Sequence, residues 1–173
     1  MKNPRLILIV TVSINLLSLI FFGRRDLKRY LPAAIFISIV STLLNKVAKK
    51  RVWWWFYKSV HPKIKGEDTW IWGLFFPIAL WMLKSTYGNI RSFLIYDSIL
   101  HILFIFPTLT FLKKVGIFSL VRINKLQYFL ILSFRGILLY YFQFIKEYIG
   151  GNKKYVVSVN GKSQDRQVEN LRS

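Results

Sequence analysis

Residues Leu126–Ile145 read LQYFLILSFRGILLYYFQFI, twenty residues with one charge, Arg135, at their middle. An α-helix needs about 20 apolar residues to cross the hydrocarbon of a bilayer. Four further apolar runs lie upstream, Leu6–Phe22, Tyr30–Asn45, Thr69–Leu83 and Ser92–Leu112, and basic clusters separate them. Backbone polar groups in lipid must be satisfied internally, so helices are the form such runs take. The chain is therefore expected to be all-α, a polytopic transmembrane helix bundle with spans at about 6–22, 30–45, 69–83, 92–112 and 126–145. These spans make one transmembrane domain over residues 1–149, followed by a basic polar tail over 150–173. The second and third runs are only 16 and 15 residues long, so four spans is the alternative. Tyr30, Trp70, Trp72 and Trp81 lie where interfacial aromatics would help those short runs.

Composition narrows the partners. The formal charge is +19, from 26 Lys and Arg against 7 Asp and Glu. In a soluble domain that balance points to nucleic acid. Here the charges flank apolar runs, so a bilayer with anionic headgroups is the expected partner and nucleic acid is not. No cysteine is present, which removes disulfides, thiol catalysis and cysteine-ligated metal. Leu6–Phe22 is longer than a usual signal-peptide core. Phe21-Phe22-Gly23-Arg24-Arg25 offers no small-x-small cleavage site, so the stretch reads as a retained first helix. With five spans, thirteen Lys and Arg fall on the side of the N-terminus and twelve on the other. Discounting the distant Lys162, Arg166 and Arg172 leaves nine there, which favours a cytoplasmic N-terminus.

Polar residues inside the runs recur at helical spacing: Thr11, Asn15 and Ser18; Ser38, Ser41, Thr42 and Asn45; Asp97, His101 and Thr108; Gln127, Arg135 and Gln143. Offsets of 3, 4, 7 and 8 place each set on one helix face, and those faces are expected to turn towards other helices. Gly73 and Pro77, one turn apart, fit a close helix contact or a kink. A central Arg costs roughly 2.5–3.5 kcal/mol to insert, so Arg135 needs a partner or a wet cavity. Asp97 is the one acidic residue within any run, and it lies on the adjacent run. Asp97 and Arg135 are expected to face each other across antiparallel helices, with His101 near the same level. The plain reading is a structural pair that sets helix register. The competing reading is an ion or solute site, since an imidazole changes charge near neutral pH and Arg135 suits a carboxylate or phosphate. The spacing of Asp97 and His101 would suit two ligands of one metal, but no third is evident, so no metal site is expected.

Two linkers carry more than loop composition. Lys49-Lys50-Arg51 leads into Val52 and then Trp53-Trp54-Trp55, a basic cluster followed by aromatics, which has the composition of an interfacial lipid anchor and equally of a frayed end of the second helix with interfacial aromatics. Val115–Val121 is too short to span and is expected on the surface. Asp68 reads as the N-cap of the third helix, and His61, Glu67 and Asp68 form a loose cluster before it. The tail is expected to be disordered, with a hairpin over Tyr155–Gly161 as the alternative.

From Lys46 to Glu147 the pattern resembles a family of small, uncharacterised multi-pass membrane proteins of spore-forming Firmicutes. The matching residues are the basic-aromatic segment, Trp70-Ile71-Trp72-Gly73-Leu74-Phe75-Phe76-Pro77 entering a span, and Arg135-Gly136 in a later one. The resemblance implies a bacterial cytoplasmic-membrane location and a link to sporulation. It implies no activity and carries over no functional residue.

No phosphate loop, nucleophile elbow, zinc-protease motif or paired intramembrane carboxylates occur, so no catalytic residue and no cofactor is expected. The leading expectation is a non-catalytic scaffold or accessory subunit of a bacterial membrane complex, working with a membrane-protein partner or as a homo-oligomer. A component of a small-ion or small-solute transporter using Arg135, Asp97 and His101 comes second, and a lipid-acting enzyme third.

Overall fold

The computed structural model describes residues 4–58 and 66–150, and five helices carry most of them. Helix α1 covers Pro4–Ser18 and ends in a single tight turn, Leu19–Phe21. Helix α2, Arg24–Lys50, has Asp26 in its first turn and Lys49 and Lys50 in its last, both favourable with the helix dipole. Strand β1, Trp54–Phe56, follows. Helix α3 runs over 66–86, helix α4 over Ile90–Val115 and, after strand β2 at Phe118–Leu120, helix α5 over Lys125–Ile149. Helices α2, α4 and α5 are each long and apolar enough to cross a membrane, whereas α1 is apolar but shorter.

Side-chain contacts fix the helix directions. Phe36 of α2 stacks on Phe142 of α5 at 4.2 Å, and Arg29 reaches Glu147, so these two helices are antiparallel. Phe93 meets Tyr140 at 4.9 Å and Phe104 meets Tyr128 at 6.4 Å, so α4 and α5 are antiparallel as well. Val12 lies against Gly73 and Ser18 accepts from the Trp81 indole at 3.1 Å, so α1 and α3 run in parallel. Direction therefore alternates along the chain, and Pro4 and Ile149 lie at opposite ends of the bundle.

Prolines shape two of the helices. Pro77 offers no N–H to the Gly73 carbonyl, and α3 widens into a π turn at Ile71–Phe75 just before it. Pro107 likewise leaves the Leu103 carbonyl without its usual donor. Helix α4 widens at Phe104–Thr108, and the Thr108 hydroxyl donates to Leu103 instead at 3.1 Å. A Cβ on Gly73 would lie 2.8 Å from a Val12 methyl, so this glycine is what lets α1 approach α3 closely. Helix α4 closes at Gly116, whose left-handed φ of 71° suits glycine.

The two strands pair antiparallel, Trp54 with Leu120 and Phe56 with Phe118, and cap one end of the bundle. The ribbon corrects two expectations. Phe118 and Ile117 are buried in the core while Val121 is exposed, so Val115–Val121 lies only in part on the surface. Trp54 is buried as well and donates to Asn45 Oδ1 at 3.0 Å, because strand alternation turns it inward while Trp55 faces out. Of the proposed anchor, Lys49, Lys50, Arg51 and Trp55 are exposed, Trp53 is half-buried and Trp54 belongs to the core. Asp68 lies within the first turn of α3 rather than at its N-cap. His61 and the Tyr155–Gly161 stretch lie outside the described residues.

The outer faces of the long helices are apolar, and several polar side chains are buried among apolar ones. On α5 the buried positions are Tyr128, Leu132, Gly136, Leu139, Gln143 and Glu147; the exposed ones include Leu126, Leu130, Phe134, Ile137 and Tyr141. On α2, Ser38 and Ser41 are buried while Ile35, Ile39 and Leu43 face out. Phe134 is 62% exposed and Asp97 only 7%. Exposed apolar faces of this extent mark contact with lipid or another protein.

Candidate functional site

Two apolar cores fill the bundle, one below the ribbon and one at the opposite end. A cavity of about 60 Å³ lies between them, touching Leu132 of the first and Ile37, Ala79 and Leu139 of the second. Its polar lining is Ser38 and Ser41 from α2, Asp97 and His101 from α4, and Arg135 from α5.

Asp97 owes its place to Gly136. A Cβ at position 136 would lie 2.5 Å from Oδ1 and 2.6 Å from Oδ2, so the carboxylate packs on bare backbone. Its Oδ2 is 3.2 Å from His101 Nδ1, within ion-pair range one helical turn away. The alignment does not make a hydrogen bond, and Nδ1 has no other partner among the described residues. Ser38 and Ser41 donate to the Ala34 and Ile37 carbonyls of their own helix, at 2.8 and 2.6 Å. Their lone pairs remain free to accept.

Arg135 shares the cavity with Asp97, but the two form no ion pair within 4.0 Å. Its guanidinium carbon lies 4.7 Å from the centre of the Phe75 ring, and its buried Nε has no acceptor among the described residues. The two side chains thus face one chamber without making a direct ion pair. Successive helical residues point about 100° apart, so a carboxylate packed on Gly136 meets a different sector of α5 from the one Arg135 occupies. The cation meets the negative face of an aromatic ring instead.

The other expected polar positions divide. On α1, Thr11 is mostly exposed and its hydroxyl donates to the Ile7 carbonyl, whereas Ser18 is half-buried and accepts from the Trp81 indole of α3. Gln127 is exposed too, and its Oε1 accepts from the Asn124 N–H at the start of α5. Gln143 is fully buried and donates to Glu147 at 2.7 Å.

That last contact opens a cluster that sequence reading missed. Arg29 of α2 grips Glu147 of α5 with two parallel bonds, Nε to Oε1 at 2.6 Å and Nη2 to Oε2 at 2.9 Å. The Lys146 ammonium donates to the Arg29 carbonyl. The Arg29 guanidinium also lies over the Tyr30 and Tyr87 rings, at 5.1 and 5.4 Å. In the turn between α3 and α4, burial first and then the nearby Glu147 carboxylate push the Tyr87 phenol above its usual range, so it remains a donor. One signal was available: Glu147 follows Gln143 by four residues and continues the same helix face.

Glu67 pairs with Lys49 at 3.2 Å. Among the described residues no three His, Cys, Asp or Glu side chains gather as a metal site would need. The chamber has room for something the size of a water molecule beside one carboxylate, one imidazole and one guanidinium. No family model, no curated protein and no solved structure matches this chain.

Proposed function

We propose that this chain is an integral protein of a bacterial cytoplasmic membrane, crossing it five times and serving as a non-catalytic scaffold or accessory subunit. One observation carries the reading: apolar side chains cover the outer faces of α2, α4 and α5, while Ser38, Ser41, Asp97, His101, Gln143 and Glu147 are buried. Alternating helix direction supports five spans over four, because α1 and α3 run beside the three long helices. The basic residues at both ends would meet anionic headgroups. The wide exposed apolar faces offer surface for a partner protein or a second copy as well as for lipid. The pattern-level resemblance to membrane proteins of spore-formers bears on the membrane location alone.

A second reading has its own support. The unpartnered Arg135 Nε and His101 Nδ1 around a 60 Å³ chamber suit the passage of a proton or small ion, and only of something that small.

The absence of native cysteine makes topology directly measurable. Single cysteines at Lys50 and Arg122 should react with an impermeant maleimide from the cytoplasmic side, and one at Asn89 from the outside. Labelling of all three from the same side would refute five spans, and recovery of the chain in the soluble fraction would refute the membrane reading altogether.

A further inference from the structure

Helix α1 packs on α3 through Val12 and Gly73, and the space between α1 and α4 stays open. The result is a second cavity of about 190 Å³, larger than the polar chamber and almost wholly apolar. Ile7, Leu8 and Thr11 line it from α1, and Phe104, Thr108 and Phe111 from α4. Phe75, Ile78, Leu100 and His101 line both cavities and form the wall between them.

Three features at the ribbon end of this cleft point to one occupant. Arg5 precedes Leu8 by three residues on α1, and Lys114 follows Phe111 by three on α4. Each therefore continues a cleft-lining face one turn further towards the ribbon end, and both are exposed. Trp70, which also lines the cleft, has a buried indole N–H with no acceptor among the described residues. A buried indole ordinarily has a partner, so this donor calls for one.

We infer that the α1–α4 cleft binds one acyl chain of an anionic glycerophospholipid, its phosphate held by Arg5 and Lys114 and an ester carbonyl accepting from the Trp70 indole. The inference rests on the membrane reading above. Apolar lining alone would accept any hydrocarbon. The two cations, one turn beyond the lining residues, select a negative headgroup, and the unpartnered indole donor selects an ester over a bare alkyl chain. The lipid then completes the wall that the short α1 leaves open, and its chain ends against His101 and Phe75.

The test uses the purified full-length chain in neutral detergent, with phosphatidylglycerol or phosphatidylcholine of identical acyl chains added. Phosphatidylglycerol should raise the thermal midpoint by several degrees more than phosphatidylcholine. Arg5→Gln/Lys114→Gln should erase that difference, and Trp70→Phe should reduce the response to both lipids. A phosphatidylglycerol carrying a photoreactive acyl chain should label Ile7–Thr11 and Phe104–Leu112 above the outer-face positions Ile39 and Phe134. Equal stabilisation by the two lipids, or labelling spread evenly over the outer faces, overturns the inference. Alkaline extraction of cell membranes, run in parallel, separates the two failures. A chain that stays in the membrane but shows no lipid preference refutes the cleft alone, whereas a chain that is released refutes the membrane reading.

Discussion

At the scale of single residues, Gly136 and Asp97 behave as one unit. Adding a methyl at 136 forces the carboxylate out of its place, since 2.5 Å is far inside van der Waals contact. Gly136→Ala should cost about 1–3 kcal/mol of stability through overpacking, and Asp97→Ala in the same chain should restore much of it. A thermal melt in detergent reads both, and a failure of the second change to compensate would mean that the cost arises elsewhere. Arg29 and Glu147 make a tighter pair. Glu147 is buried and accepts from both Arg29 and Gln143. Removing Arg29 leaves a buried carboxylate short of its main partner, a change that typically costs about 3–5 kcal/mol. Arg29→Ala should therefore lower membrane abundance sharply, while Arg29→Ala/Glu147→Gln should recover part of it. Equal loss in the single and double variants would argue against a charge effect.

At the scale of elements, the two-stranded ribbon does more than join helices. Phe118 is fully buried and sits 4.6 Å from Phe56, 6.2 Å from Trp70 and 6.0 Å from Tyr128 by ring centre. It thereby ties β1, β2, α3 and α5 together. Phe118→Ala should cost about 3–5 kcal/mol, more than the same change at exposed Phe111, as judged by the thermal midpoint. The sequence carries little sign of this pairing. Trp54 and its partner Leu120 lie 66 positions apart, each in a stretch too short for a clear periodicity, and a basic-aromatic segment reads equally well as an interfacial anchor. The π turns are half legible. Pro77 and Pro107 announce a break in the ladder, but whether the helix kinks, stops or widens depends on neighbours such as the Thr108 hydroxyl.

At the scale of the whole molecule, the outer surface tolerates apolar side chains and the interior tolerates polar ones. Ile39 is 51% exposed on α2, one residue from buried Ser38. In a bilayer Ile39→Lys would place a charge in lipid at roughly 2.5–3.5 kcal/mol, so membrane integration should fall, whereas Lys46→Ala near the helix end should leave it unchanged. Carbonate extraction measures both. Normal integration of Ile39→Lys would remove the main support for this face being in lipid.

Composition and periodicity determined that the chain is helical, that its helices centre on the five apolar runs, and that Asp97, His101 and Arg135 belong to a polar interior level. All of these follow from local spacing along one chain. Tertiary structure decided the partners. The expected Asp97–Arg135 contact became a shared chamber because Gly136 admits the carboxylate, and one helical step of rotation turns Arg135 towards Phe75. It also joined Arg29 to Glu147 and Trp54 to the core, pairings between residues remote in sequence or turned by a strand whose partner lies far along the chain. A face is a property of a few consecutive residues, whereas a contact depends on how two faces are rotated and shifted against each other, and that is fixed only when the helices pack.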